Sequence, residues 1–422
     1  MKMIKAVRGF KDILPEETPA WRKLEERARE ILFRYGFSEI RLPILERTEL
    51  FARGIGEATD IVEKEMYTFV DRSGESLTLR PEATAGMVRA FIEHGFQARP
   101  KPLKLFTLGP MFRHERPQKG RLRQFHQLDV EVFGEASPEM DAELVGMALE
   151  ILSAGGAQGL KLEVNSLGCP ECRTPYREVL QGFLEEHREA LCEDCQRRTE
   201  RNPLRALDCK RETCRRIYQE APTLSRYLCE ACRKHYQTFL QGLSLLGISF
   251  SENPHLVRGL DYYTRTIFEI KAPGLGAQDT VAAGGRYDGL VASLGGPETP
   301  AVGFAIGLER WLLCAQNLKP SPSRPDLFIA PLGEEARRAS LWLSRTLRSR
   351  GLNVETDYSG RSLKALLRQA DRLGAARALL LGERELSQGQ ALLRDLRTGE
   401  QTSIPFQDLK DLANRLLIEI LF

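Results

Sequence analysis

Residues 108–134, LGPMFRHERPQKGRLRQFHQLDVEVFG, bring together arginines, glutamates, an amide and aromatic rings between two β-favouring stretches. Arg113, Glu115 and Arg116 close the first stretch, a basic loop follows, and Phe125, His126, Gln127 and Glu131 lie in the second. The pattern predicts two strands joined by that loop. Alternate residues of a strand share a face, so Phe125, Gln127, Asp129 and Glu131 are expected to point the same way. A ring, an amide and two carboxylates on one floor suit a purine and an amine. A solvated hairpin could also carry charge at its tip, but buried sheet floors rarely hold so many polar groups, because each needs a partner to offset desolvation.

Two further segments carry polar chemistry. In LVRGLDYYTRTIFEI (256–270), Arg258 precedes a glycine and the pair Tyr262 and Tyr263, and an arginine offers a planar donor fork suited to phosphate oxygens. In AAGGRYDGLVASLGG and VGFAIGLERW, Gly284, Gly285, Gly289, Gly295 and Gly296 are expected to free the backbone for close approach to a ligand. Gly307, Glu309 and Arg310 open or enter a helix. Neither a dinucleotide fingerprint nor a phosphate-binding G-x-x-x-x-G-K run stands in this stretch, which disfavours both readings.

Eight of the nine cysteines fall between residues 169 and 232. They form four pairs: Cys169 with Cys172, Cys192 with Cys195, Cys209 with Cys214, and Cys229 with Cys232. The N-terminus shows no export signal, so clustered thiols point to metal, and eight of them suit two tetrahedral zinc sites. A helix over 174–190 would hold Cys172 and Cys192 roughly 25 Å apart, so those two pairs cannot share an ion. The spacing of 192, 195, 209 and 214 resembles a compact zinc ribbon, leaving 169 and 172 to join 229 and 232. An antiparallel helical hairpin would instead bring 192 and 195 to 229 and 232. The same segment carries Arg197, Arg198, Arg201, Arg205, Arg211, Arg215 and Arg216, a run suited to a phosphate backbone.

These residues need a frame. Residues 17–36 place Trp21, Leu24, Ala28, Ile31 and Leu32 at helical spacing, with Gly36 as the stop. FSEIRLPILE, SLTLRPE, KLFTLGPMFRHE and QFHQLDVEVFG read as strands of an antiparallel sheet, 138–154 as a helix, and KLEVNSLG as the strand leading into the cysteine segment. Strands are expected again at 265–270 and 280–283, then a helix over GFAIGLERWLLCAQNL. KPSPSRPD (319–326) reads as an exposed linker. Beyond it, strands at DLFIAPL, LNVETD, ARALLLGE and ALLRDLR alternate with helices over 334–350 and 361–373, predicting a small α/β domain with a mostly parallel sheet. The expected fold class is thus an α+β catalytic domain around an antiparallel sheet, a helical cysteine-rich insertion, and a C-terminal α/β domain. The expected divisions are 1–168, 169–247, 248–320 and 325–422.

Composition agrees with a multidomain globular protein of 422 residues, 42% hydrophobic and 28% charged. A net charge of +3 is too weak for a nucleic-acid coat protein, so any RNA must be met by local patches. No apolar run of about 18 residues occurs, so no membrane span is expected, and the setting expected is the cytoplasm.

A Pro-containing strand (FSEIRLPILE), an R-x-E loop strand (FRHERPQKGRLRQF) and G-x-E-R (GLERW), in this order, resemble motifs 1, 2 and 3 of the class II aminoacyl-tRNA synthetases. RGLDYY, FHQ, E-V-F-G and LRPE…TA resemble the signatures of the histidyl-tRNA synthetase family, and the resemblance runs over nearly the whole chain. It implies that the C-terminal domain binds an anticodon, and that the substrates are L-histidine, ATP with Mg²⁺, and the histidine tRNA. Carried over by position, it puts Glu82, Thr84, Gln127 and Tyr262 or Tyr263 beside the histidine amino group and Glu131 on the imidazole. Arg113 would grip the ATP α-phosphate, Phe125 and Arg310 would sandwich the adenine, Glu115 and Arg121 would hold other parts of the nucleotide, and Arg258 would stand in for a catalytic cation. The motif around Pro43 implies a homodimer. Ala83 and Ala283 stand where the family usually has glycine, and the cysteine clusters depart further, since the family is not generally zinc-bound.

The main rival is the regulatory subunit of ATP phosphoribosyltransferase, a non-catalytic protein of the same fold that generally lacks the insertion, the anticodon domain and the catalytic arginine. All three features stand here. A zinc-ribbon RNA-binding protein would not need the polar floor. Because every catalytic candidate lies outside 169–235, loss of metal from the insertion is expected to spare adenylate formation and to impair transfer to tRNA.

Overall fold

The computed structural model describes residues 3–57, 59–276, 279–315 and 324–421, in two compact units divided at residue 320. Most of the expected linker, residues 319–323, lies outside the described residues.

The first unit is built on an eight-stranded sheet in the order Ser38–Glu39, Leu103–Phe112, Gln124–Phe133, Ala301–Gly307, Thr280–Arg286, Thr264–Lys271, Lys161–Ser166, Phe250–Glu252. The two edge strands pair parallel and all the inner pairs are antiparallel. Period-two alternation gives the sheet two faces of different chemistry. Phe106, Leu128, Val130, Val132, Phe304, Ile306, Phe268 and Ile270 face helices Thr18–Arg34, Pro138–Ala154 and Glu230–Leu245, forming the main core with Leu24, Ile31, Leu144, Ile151 and Phe239. The alternate residues of Gln124–Phe133 face the other way, onto a cavity.

Two expectations fail here. Residues 303–307 are a strand and not the start of a helix; among the described residues the helix is Leu308–Cys314, with Gly307 at its N-cap, and the expected end at 316–318 lies outside them. The apolar run GFAIG fits either structure locally, but its register against Gln124–Phe133, Val302 opposite Val132 and Ile306 opposite Leu128, makes it an inner strand that buries Phe304 and Ile306. FSEIRLPILE is also not one strand. Ser38–Glu39 joins the large sheet, Leu45–Arg47 joins a separate three-stranded sheet with Ser76–Leu79 and Tyr67–Val70, and Pro43, which has no N–H to give a ladder, lies between them.

A buried ionic knot ties three distant segments together. Arg286, fully buried, donates to Asp141 and to the carbonyls of Glu135 and Ser137, and Asp141 Oδ2 also lies 2.9 Å from His235 Nε2. Asp141 belongs to helix Pro138–Ala154, Arg286 to the sheet, and His235 to the last helix of the cysteine-rich segment. That helix therefore anchors the insertion to the catalytic core.

The second unit has five strands in the order Val354–Thr356, Leu327–Leu332, Arg377–Gly382, Gln390–Asp395, Gln401–Pro405. The first two pairings are parallel and the last two antiparallel, so the expected mostly parallel sheet is a mixed one. The cause is local. Asp395 accepts from the N–H groups of Arg397 and Thr398, and Gly399 takes φ +81°, closing a tight turn that returns the chain antiparallel. Helices Glu334–Arg348 and Leu363–Leu373 match the expected ranges closely, and Leu409–Leu421 adds a helix that was not foreseen.

Candidate active site

One cavity of about 1100 Å³, counting its open mouth, is lined by Glu82, Thr84, Arg113, Glu115, Arg121, Phe125, Gln127, Glu131, Arg258, Tyr262, Tyr263 and Arg310. Every residue that the resemblance assigned to histidine or ATP thus meets in one place. Its floor is the strand Gln124–Phe133, from which Phe125, Gln127, Asp129 and Glu131 all reach the cavity, as alternation requires.

The acidic part of the cavity is held from several elements. Glu82 precedes helix Thr84–Glu93 and accepts from the N–H groups of Thr84 (2.8 Å) and Ala85 (2.9 Å), so the free donors of the helix start fix its carboxylate. Burial raises its pKa even so. Glu131, 2% exposed, accepts from Thr84 Oγ1 at 2.6 Å and from the Tyr287 hydroxyl. Burial, only partly offset by those two donors, pushes Glu131 well above the usual carboxylate range. Asp129 rises to about 8 through burial and the nearby Glu82 charge, and its Oδ2 has no protein partner, nor has Gln127 Oε1. Three carboxylates and an amide oxygen in so little water call for a donor-rich, cationic ligand.

The basic part lies alongside. Arg113 donates to Pro81 O at 2.9 Å and holds its guanidinium 5.3 Å from the centre of the Phe125 ring. Arg121 pairs with Glu115. Arg310 donates to Gly120 O (3.2 Å) and Thr280 O (2.8 Å), which ties the basic loop to the sheet. Arg258 is paired with Glu269, itself bonded to Thr280 Oγ1 at 2.9 Å, and its buried Nε has no protein partner. Glu309 of G-x-E-R also lines the cavity, and both its oxygens accept from the His126 N–H at 3.0 Å, pinning the floor strand.

Several contributors were not foreseen. Tyr287 holds Glu131, and Glu269 holds Arg258. Gly303 lies opposite Glu131 in the sheet, and a Cβ there would overlap the Glu131 carboxylate. No signal in the sequence marks this role, because it depends on cross-strand register. Conversely, Gly284 and Gly285 press on the neighbouring strand backbones at Gly303 and Thr266, Gly296 packs against Val291 and Ile92, Gly289 and Gly295 have nothing within 4 Å, and none of the five lines this cavity. The glycines lining the cavity are Gly120, Gly259, Gly303 and Gly307.

The thiols form two separate groups. The sulfurs of Cys169, Cys172, Cys229 and Cys232 lie within 4.8 Å of one another, as do those of Cys192, Cys195, Cys209 and Cys214. This is the grouping the ribbon-like spacing favours and not the helical-hairpin alternative. Cys169, Cys192 and Cys229 each cap a helix N-terminus, and the second cysteine of each pair follows inside that helix. Backbone N–H groups of Cys229 and Cys192 point at the sulfurs of Cys172 (3.1 Å) and Cys214 (3.4 Å). Against burial, hydrogen bonds bring the Cys169 thiol down to about 7, which favours the thiolate a metal needs.

An antiparallel sheet bearing a polar floor, an arginine-rich hairpin and a G-x-E-R turn, all opening on one cavity of mixed charge, defines the catalytic domain of a class II aminoacyl-tRNA synthetase. Residues 9–311 match the family described as histidyl-tRNA synthetase, and 326–416 match the anticodon binding domain. The histidine–tRNA ligase of Desulforapulum autotrophicum is 51% identical over 98% of both chains, and that of Desulfotalea psychrophila 52% identical over 95% of this chain and 93% of its own. The crystal structure of apo histidyl-tRNA synthetase from S. aureus superposes with a TM-score of 0.81 at 38% identity, covering 98% of this chain and 99% of that one. The chain belongs to the histidyl-tRNA synthetase family. A Bacillus halodurans structure titled as an ATP phosphoribosyltransferase regulatory subunit/histidyl-tRNA synthetase, 22% identical with a TM-score of 0.66 over 90% of this chain and 98% of its own, shares the fold alone.

Proposed function

We propose a division of labour within this cavity for an enzyme that activates L-histidine with ATP and passes it to the histidine tRNA. The observation that carries it is the split of one buried floor into an acidic and a basic part. As a member of its family, the chain is a histidine–tRNA ligase. Glu82 and Gln127, with Tyr262 or Tyr263, take the α-ammonium group, and Glu131 takes the imidazole, oriented by Thr84 and Tyr287. Phe125 and Arg310 hold the adenine, while Glu115 and Arg121 hold the rest of the nucleotide. ATP enters as its Mg²⁺ complex.

In the first step a histidine carboxylate oxygen attacks the α-phosphorus, the bond to the bridging oxygen breaks, and pyrophosphate leaves. Negative charge grows on the non-bridging oxygens, and Arg113 and Arg258 stabilise it; no side-chain nucleophile is required. In the second step a terminal ribose hydroxyl of the tRNA attacks the mixed anhydride and AMP leaves. The C-terminal domain reads the anticodon.

Glu131→Gln tests the amino acid end. Loss of a charged hydrogen bond costs about 2 kcal/mol, so KM for histidine should rise roughly 30-fold with little change for ATP. Gly303→Ala, which displaces the same carboxylate, should do likewise. Equal effects on both KM values would place Glu131 elsewhere.

The two thiol groups each hold a structural zinc ion. A Zn–S bond of about 2.3 Å in a tetrahedron sets sulfurs about 3.8 Å apart. The Cys169–Cys229 and Cys192–Cys209 separations of 3.9 Å fit that spacing. Metal analysis of anaerobically prepared protein should find close to two zinc ions per chain; none would sink the assignment. The enzyme is a homodimer, supported by exposed Ile44, Leu45, Phe69 and Val70 beside Pro43 on the small three-stranded sheet. Light scattering at micromolar concentration should report twice the chain mass, and a single chain mass would overturn this. Free thiols suit a reducing compartment, and among the described residues no helix is long and apolar enough to cross a membrane, so the cytoplasm is the setting proposed.

A further inference from the structure

The catalytic arginine lies on a segment that cannot hold itself. Residues 256–263 form neither helix nor strand, so the Arg258 backbone must be fixed by neighbours. The nearest support comes from the insertion. Arg205, 6% exposed, donates from Nη1 to Arg258 O at 2.8 Å. Gly259 lies against it: a Cβ there would make an ordinary contact with the same nitrogen at 3.6 Å. Three residues earlier, Asn202 donates to Asp261 Oδ1 at 3.1 Å, so two successive contacts grip the segment on either side of Gly259.

Arg205 is itself held at both ends. It lies in the short turn of helix Pro203–Asp208, and the whole stretch from 196 to 208, the end of helix Glu193–Arg201 included, connects Cys195 to Cys209. Arg198 Nη1 donates to Arg205 O at 3.3 Å and its other nitrogen pairs with Asp60, which also lies 3.9 Å from Arg205 Nη2. Arg201 pairs with Glu63 at 2.8 Å. Leu256, Val257 and Tyr263 belong to the same hydrophobic cluster as Cys195, Ala206, Leu207, Cys209 and Cys214. The thiol group and the catalytic segment therefore share one core. A shared core argues against the expected separation of the insertion from the activation step.

We infer that Arg205 is a positioning residue for Arg258, and that the Cys192–Cys195–Cys209–Cys214 centre serves amino acid activation by holding the loop that carries Arg205. The inference rests on the reading of Arg258 as catalytic and of this centre as a zinc site. Arg205, hydrogen-bonded to the Arg258 carbonyl and paired with Asp60, acts on Arg258 through geometry, and displacement of a catalytic group by about 1 Å can cost on the order of 100-fold in rate.

The experiment is ATP–pyrophosphate exchange with the full chain, with metal content measured on each preparation. Arg205→Met keeps the buried stem and removes the donors. It should lower kcat about 10- to 100-fold, leave KM for ATP and histidine nearly unchanged, and keep close to two zinc ions. Arg205→Lys, which restores a cation and a donor, should recover much of the rate. Adding Arg205→Met to Arg258→Ala should cost nothing further, because residues acting as a unit are not additive. Cys209→Ser should release about one zinc ion and show the same kcat loss as Arg205→Met. Full activity in Arg205→Met, when Arg258→Ala is inactive, would overturn the positioning role. Full activity in Arg258→Ala would instead refute the catalytic reading beneath it. Wild-type protein without zinc, or Cys209→Ser at full rate, would overturn the part given to the metal centre.

Discussion

Arg258→Ala is expected to slow ATP–pyrophosphate exchange by at least about 100-fold in a protein that stays folded. Its guanidinium lies buried in the cavity with Nε unpaired, so a donor is already in place where charge grows on the α-phosphate. Removing one such preorganised donor costs about 3 kcal/mol or more of transition-state stabilisation. The substitution also leaves Glu269 without its cation, although Thr280 Oγ1 still donates to it at 2.9 Å. Combining Arg258→Ala with Glu269→Gln removes that stranded charge. The pair should be as inactive as the single variant and at least as stable. Near-normal exchange in either folded protein would refute the role.

The largest effect on stability is expected at Asp141. Its carboxylate is the only anionic partner of Arg286 that is buried as deeply, and Asp288 adds a half-exposed contact at 3.1 Å. Asp141→Ala leaves a fully buried guanidinium with only Asp288 and two carbonyls as partners, and breaking such a buried pair costs about 3–5 kcal/mol. Urea unfolding should show a loss of that size, and a change under about 1 kcal/mol would show that Asp288 and the carbonyls suffice. The pH dependence has a definite sign. Burial opposes the charge, but hydrogen bonds from His235 and Arg286 win, so the Asp141 pKa is held below its ordinary value. A depressed carboxylate stabilises the fold fully above its unfolded pKa, and the contribution is lost as pH falls through the folded value. Wild type should therefore lose stability in acid more steeply than Asp141→Ala.

What the sequence made legible follows from periodicity. The floor residues Phe125, Gln127, Asp129 and Glu131 were readable because a strand with polar residues on one side and Leu128, Val130 and Val132 on the other states both faces at once. Helix Thr18–Arg34 was readable for the same reason at period 3.6. The misreading of 303–307 arose where apolar residues run continuously and a helix does follow, so neither period is visible. Gly303, Tyr287 and Glu269 act across strands, and register is not written in any one segment. The two thiol groups were favoured by spacing, yet spacing alone left another pairing open until the backbone placed the sulfurs. Arg205 was one of seven arginines between 197 and 216, indistinguishable from its neighbours in a charged run, and only its burial against Arg258 O separates it from them.

The central claim is that this cavity selects histidine and activates it with ATP. ATP–pyrophosphate exchange measured with each of the twenty amino acids tests that claim without tRNA. The account predicts rapid exchange with histidine and background with the other nineteen, because Glu131, held in place by the Thr84 and Tyr287 hydroxyls that donate to it, is a buried acceptor suited to an imidazole N–H. Exchange driven better by another amino acid, or none with histidine in folded, metal-replete enzyme, would contradict it.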